Sequence, residues 1–293
     1  MPQRRDASVR AVYGLDILVR FIAVAADPDK YGNSWQYNSR SDRHSQIGCW
    51  GVAFDLLATS ALLRQHAESG KVVLGVNHTM NDFGTSRKKA LDLVVARPAG
   101  PVPPRGQSLR SIVATKNIPL TDSERSLLLN LPDIPVAPVG AVLIALEAKA
   151  AMTAHVKALP RLYDELNSSH LCVHGASNQA LAIGFVQVNS ATHFASSVTN
   201  GYPLTDYPIR VTAHRQPYDT KRVLKKIAEL PRRSSVTGVG FDGIGISVLD
   251  FANQGGPVTL VTDPPAPQPG DPFHYDSMIV RMANEYDSRF AAI

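Results

Sequence analysis

The sequence predicts a mixed α/β protein, and three observations carry that prediction. Apolar runs of strand length recur along the chain: "KVVLGV" (71–76), "LDLVVA" (91–96), "VLIAL" (142–146) and "ALAIGFVQVN" (180–189). Between them lie segments with apolar residues at helical spacing, beginning with Phe54, Leu57, Ala61 and Leu62. The punctuation is rich in proline and glycine, above all in 97–108 and 263–272. Strands with intervening helices imply a central mixed β-sheet flanked by helices.

Taken in order, "WGVAFDLLATSALLRQHAESG" reads as a helix over 50–68 that closes on Gly70. The strand at 71–76 follows, then a polar loop over 78–90 and a second strand at 91–96. After the proline-rich turn at 97–108, "SERSLLLN" predicts a short helix inside a proline-punctuated stretch, 118–140. "VLIAL" has the length of a buried central strand, and "MTAHVKAL" begins a helix that Pro160 is expected to kink or restart. "HLCVHG" (170–175) and "ALAIGFVQVN" read as strands with a polar turn between them. A basic helix within 215–233, a glycine-bearing strand over 238–251, the linker at 263–272 and a short terminal helix complete the chain. The expected division is a core over 1–205 with an N-terminal helical segment and a C-terminal extension over 206–293, separate or continuous with it.

The chain has 293 residues, enough to bury a substantial core, and no apolar run reaches the length of a membrane span. Asp16 and Arg20 interrupt the apolar stretch near the start, which argues against a signal peptide. Two cysteines, Cys49 and Cys172, support neither a disulfide framework nor a cysteine-rich zinc site, so a cytoplasmic location is expected. Thirty basic against 25 acidic residues permit a polyanionic partner without requiring one. No HExxH or GxSxG pattern occurs, and Gly238, Gly240, Gly243 and Gly245 do not have the spacing of a dinucleotide fingerprint.

The segment that asks for an explanation is "AVLIALEAKAAMTAH" (141–155), because a charged pair in a buried strand costs several kcal/mol unless it is compensated. On a strand Glu147 and Lys149 share one face, with Ala148 between them. If the strand bearing Asp92 lies alongside, two carboxylates and one ammonium converge. Carboxylate oxygens suit Mg²⁺, which lowers the pKa of a bound water and stabilises charge on a scissile phosphate. A lysine beside it can orient that water and add positive charge. The carbonyl of Ala148 could add a metal oxygen, and Asp82, Asn81 and His78 precede Asp92 as further candidates. On an exposed strand the same Glu147 and Lys149 would be ordinary surface charges.

"LDLVV…ALEAK" resembles the PD-(D/E)XK metal-dependent nuclease superfamily typified by type II restriction endonucleases. The resemblance implies a restriction-endonuclease-like core with a central mixed sheet, and it covers about 50–190. It implies Asp92 and Glu147 as metal ligands and Lys149 as the residue assisting the attacking water. Asp92 follows leucine where the family often has proline, and the gap to Glu147 is long, so Asp82 competes as the first acid. The implied activity is Mg²⁺-dependent hydrolysis of double-stranded DNA, with a homodimer expected for cutting both strands.

For DNA contacts, Lys157 and Arg161 stand four apart on one helix side, although Arg161 could instead pair with Asp164 or Glu165. "TKRVLKKIAELPRR" places Val223, Leu224, Ile227 and Leu230 in a stripe that leaves Lys221, Arg222, Lys225 and Lys226 outward, extended by Arg232 and Arg233. Asn178 and Gln179, beside Ser177, are candidates for base-edge contacts. Two other readings stay open: a non-catalytic nucleic-acid-binding or phage-associated structural protein, and an enzyme acting on small phosphorylated substrates.

Overall fold

A computed structural model describes residues 12–82, 85–103 and 106–293. Helix α1 (Gly14–Ala23) leads into α2 (Arg43–Thr59) and α3 (Ala61–Glu68), and strands β1 (Val73–Asp82) and β2 (Arg87–Pro98) form a hairpin. Two short helices, α4 (Leu109–Thr115) and α5 (Asp122–Asn130), precede β3 (Val139–Ala151), α6 (His155–Ala176) and β4 (Leu181–Asn189). The two-residue strands β5 (His193–Phe194) and β6 (Thr212–Ala213), helix α7 (Tyr218–Ala228), strands β7 (Gly243–Asp250) and β8 (Thr259–Val261), and helix α8 (Tyr275–Arg289) follow.

Six strands make one mixed sheet in the order β1-β2-β3-β4-β7-β8. β3, β4 and β7 run parallel, while β1, β2 and β8 are antiparallel to their neighbours. All nine residues of β4 are buried, as expected of a parallel strand covered on both faces. One face packs against α2 and α8 around Trp50, Phe54, Phe185 and Met278; the other packs against α6 and α7 around Leu162, Val186, Val223 and Phe241. The α/β class read from the sequence is the observed one. Because β7 and β8 continue the sheet and α8 packs on α2, the 206–293 segment completes the same core.

Three local readings change. The 78–90 segment is paired strand on both sides of the hairpin tip, with Met80 turned inward, so its polarity marks a half-exposed edge and not a loop. "HLCVHG" is the end of α6: Cys172 and Val173 are buried while Leu171 and His174 are only half-buried, and the helix runs through Pro160, which is exposed. The 50–68 helix is two helices broken at Ser60, which bend by 98°. The Ser60 hydroxyl accepts the Leu63 amide at 2.9 Å and so starts α3. Among the described residues no single helix is long and apolar enough to cross a membrane; α2 with α3 passes only as that bent pair, and α2 is core.

α1 meets α2 at Gly14 and Gly51. A Cβ on Gly14 would overlap the Tyr275 hydroxyl and lie 3.0 Å from the Gly51 carbonyl carbon. Gly14→Ala is therefore expected to destabilise the fold by about 1–3 kcal/mol, the usual cost of overpacking, read as a lowered urea midpoint with an unchanged slope.

Candidate functional site

The side-chain alternation of the β1–β2 hairpin breaks midway. Leu93 and Val95 of β2 face the α2 layer, yet Leu91 faces the α6 layer; likewise Val76 of β1 packs against the first layer and Met80 in the second. The break falls at Asp92 and at Asn77, the residue the register places opposite it, whose φ is 49°. Strand residues two apart otherwise share a face. The break thus turns the outer half of the hairpin over and leaves Asp92 at the seam.

There the β2–β3 ladder ends, at the pair Leu93↔Leu146. The Ala148 amide, next in line to face β2, donates to Asp92 Oδ2 at 2.8 Å. The amide and carbonyl of one strand residue point to the same neighbour, so the Ala148 carbonyl faces this edge too. From the N-terminal turn of α2, Ser45 Oγ lies 3.1 Å from Asp92 Oδ1 and 2.9 Å from the Asp42 carbonyl, its one proton serving either.

Glu147 and Lys149 share the face toward α6, as strand geometry predicts. Lys149 Nζ lies 2.6 Å from Glu147 Oε1, and Lys89 Nζ lies 3.4 Å from the same oxygen. Glu147 is 2% exposed. Its Oε2 is buried and meets no hydrogen-bond donor among the described residues. Glu165 of α6 approaches Lys149 at 3.6 Å and accepts from Arg161 Nε at 2.5 Å.

Burial pushes the Asp92 and Glu147 carboxyls up, against the pull of the Ala148 amide on Asp92 and of Lys149 on both. Burial acts on Lys149 in the opposite sense, but Glu147, Asp92 and Glu165 together hold its ammonium above the usual lysine range. Lys149 is thus a fixed positive charge and not a base. His44 is pushed down to about 3 by burial and by Lys149, so it is neutral at neutral pH. An open cavity of about 430 Å³ lies against this cluster, lined by Asp92, Ala148, Lys149, His44, Ser45, Arg40, Arg161 and Glu165. Glu147 stands behind Lys149 and does not line it.

Asp92, Glu147, Ala148 and Lys149 are therefore brought together. Asp82 is not: it ends β1 five residues beyond Asn77, roughly 16 Å along the strand, bonded to Thr85 and packed over Gly175. Arg161 is at the cavity but engaged by Glu165, and Lys157 is exposed on the preceding turn of α6. Lys221, Arg222 and Lys225 are exposed on α7, which packs on α6; Lys226 pairs with Glu229 at 2.7 Å and lies over the Tyr163 ring at 4.4 Å. Asn178 and Gln179 lie before β4, whose Leu181 pairs with Ile144, so they stand roughly 23 Å from the strand level of Lys149. Arg233 does not extend the basic patch, because it is buried, with its Nε 2.9 Å from Asp242 Oδ1.

The sequence reading missed Ser45, His44 and Lys89; Glu165 was anticipated as a partner of Arg161, which it is, but not as a partner of Lys149. Among the described residues no group of three or more His, Cys, Asp or Glu side chains is placed to hold a metal. A divalent ion here would have Asp92, Glu147 and the Ala148 carbonyl as protein ligands, and the unpartnered Glu147 Oε2 fits such a role. Comparison with protein-family models, with curated proteins and with solved structures gave no match.

Proposed function

We propose that the protein is a Mg²⁺-dependent endonuclease of the restriction-endonuclease type that hydrolyses double-stranded DNA. The observation that carries this reading is the seam at Ala148. Two carboxylates whose ionised forms are disfavoured by burial stand at Ala148, Asp92 bonded to its amide and Glu147 next to it in β3, with a permanently charged lysine beside them at an open cavity. Lys149 and Lys89 already offset part of that charge, so the case for a metal rests on the oxygen donors left over, Asp92 and the unpartnered Glu147 Oε2, whose hard character suits a divalent ion.

When bound, that ion supplies a water of lowered pKa and neutralises charge developing on the phosphate. Asp92 and Glu147 would hold it, with Ser45 fixing the Asp92 carboxylate. Lys149, anchored by Glu147 and Glu165, would place its ammonium beside the phosphate in the cavity. Arg40, Lys157 and the exposed face of α7 supply positive charge for flanking phosphates. Cutting both strands requires two such sites, hence two copies of the chain.

The reading is tested with a panel of methylated and unmethylated duplex DNA in Mg²⁺, with EDTA and Glu147→Ala controls. Discrete fragments that need both Mg²⁺ and Glu147 are expected. The burial of Glu147 behind Lys149 favours the rival, a DNA-binding protein without cleavage. Intact salt-sensitive binding with no cleavage of any DNA or RNA would establish that rival, and hydrolysis of nucleotides without duplex binding would point to a small phosphorylated substrate.

A further inference from the structure

At the end of the sheet where β4 and β7 begin, a cleft of about 530 Å³ opens between the 230–234 segment and α8. Four arginines line it, Arg232, Arg233, Arg281 and Arg289, against two acids, Asp242 and Glu285. Both acids are already engaged. Asp242 accepts Arg233 Nε at 2.9 Å, Arg289 at 3.1 Å and the Ala182 amide at 2.8 Å, while Glu285 pairs with Arg289 at 3.1 Å. The surplus of two positive charges therefore rests on Arg232 and Arg281.

Neither of these has a carboxylate within ion-pair distance among the described residues. Arg232 is held in place by the Phe273 ring, 4.8 Å from its guanidinium carbon. Arg281 makes one long bond, 3.4 Å to the Pro272 carbonyl, and its Nε is shielded from solvent with no acceptor. Burial and the neighbouring Arg232 push its pKa down, and Glu285, which pairs with Arg289, offsets this only in part. A solvated surface arginine has water for each donor; this one does not. Leaving a buried charged donor unpaired is costly unless a ligand completes it.

We propose that this cleft binds a phosphate-type oxyanion between the guanidinium groups of Arg232 and Arg281. The planar fork of arginine matches the paired oxygens of a phosphate, and two forks side by side suit a ligand carrying more than one negative charge. The cleft lies at the end of the sheet opposite Lys149, so this site stands whether or not Glu147 takes part in cleavage.

The test is calorimetric titration in EDTA of the full chain with inorganic pyrophosphate and, separately, with a short duplex oligonucleotide. Wild type is expected to bind pyrophosphate, and Arg281→Gln and the surface variant Arg232→Gln should each weaken it about tenfold or more, the scale of a lost charge-assisted hydrogen bond. Glu147→Gln should leave it unchanged. A parallel loss of duplex affinity identifies the oxyanion as nucleic-acid backbone; loss for pyrophosphate alone identifies a free phosphate compound. The proposal is overturned if wild type binds neither probe or if both arginine variants bind as wild type does.

Discussion

Glu147→Gln is expected to reduce Mg²⁺-dependent DNA cleavage by about 10³-fold while leaving the fold intact. The magnitude follows from what the carboxylate does: removal of one preorganised group that stabilises charge in the transition state costs about 10²–10³-fold, and Glu147 would also hold the ion. The glutamine oxygen can still accept from Lys149, which retains Glu165 at 3.6 Å. Lys149→Met tests the same cluster from the other side and has a second cost. It leaves Glu147 buried with only Lys89 at 3.4 Å, so a loss of about 3–5 kcal/mol, as for a broken buried pair, is expected with the loss of activity. Because burial raises both carboxyls in the metal-free protein, protons compete with the ion for them, and the Mg²⁺ concentration needed for half-maximal cleavage should rise as pH falls. Activity of Glu147→Gln within threefold of wild type, with EDTA still inhibiting, would remove Glu147 from the site and with it the family resemblance.

How far this site was legible depends on distance along the chain. The pair Glu147 and Lys149 was readable because β3 is a parallel central strand, whose uninterrupted apolar run makes two charges conspicuous. Asp92 was readable only as the lone acid of a second apolar strand, on the condition that this strand lies beside β3. What fixes it, the change of face at Asn77 and the hydroxyl of Ser45, lies in the backbone and on a helix 47 residues away. The outer hairpin defeated the reading for a physical reason: 78–90 extends to the sheet's edge, so its strands are nearly as polar as a loop. "HLCVHG" failed differently, since six residues of mixed polarity fit a strand and the last turns of a helix equally, and only the length of α6 decides. Arg233 read as part of a basic patch, and Asp242 only as a residue of a glycine-bearing strand, because nothing local announces that they meet.

Asp55→Ala is expected to have the largest effect on stability of any single substitution at the N-terminal helices, and Asp55→Asn to alter how stability depends on pH. Asp55 is fully buried in α2 and accepts the Tyr13 amide at 2.7 Å, the Gly14 amide at 2.8 Å and the Tyr275 hydroxyl at 2.9 Å. It thereby ties the start of α1 and the start of α8 to one point. Alanine strands two buried donors and a part-buried one at about 1–3 kcal/mol for each buried group, so a loss of about 3 kcal/mol or more is expected in urea unfolding. Burial pushes the Asp55 carboxyl up to about 7 despite those three donors, from 3.8 unfolded. Between those values the folded protein binds this proton more tightly than the unfolded chain does. Its contribution is therefore fully present below 3.8 and is lost as pH rises through 7. At about 1.4 kcal/mol per unit, the loss is on the order of 4 kcal/mol. Buried histidines oppose it: His44 and His170, pushed down to about 3 and about 4 mainly by burial, lose stability as pH falls from 6.5. The decisive quantity is thus the difference between wild type and Asp55→Asn, measured in urea at steps from pH 5 to 8. Asparagine does not titrate and must turn its amide against one of the donors, so wild type should hold its widest margin at pH 5 and lose most of it by pH 8. A margin that is constant or widens with pH would mean that Asp55 is ionised throughout, held so by its three donors.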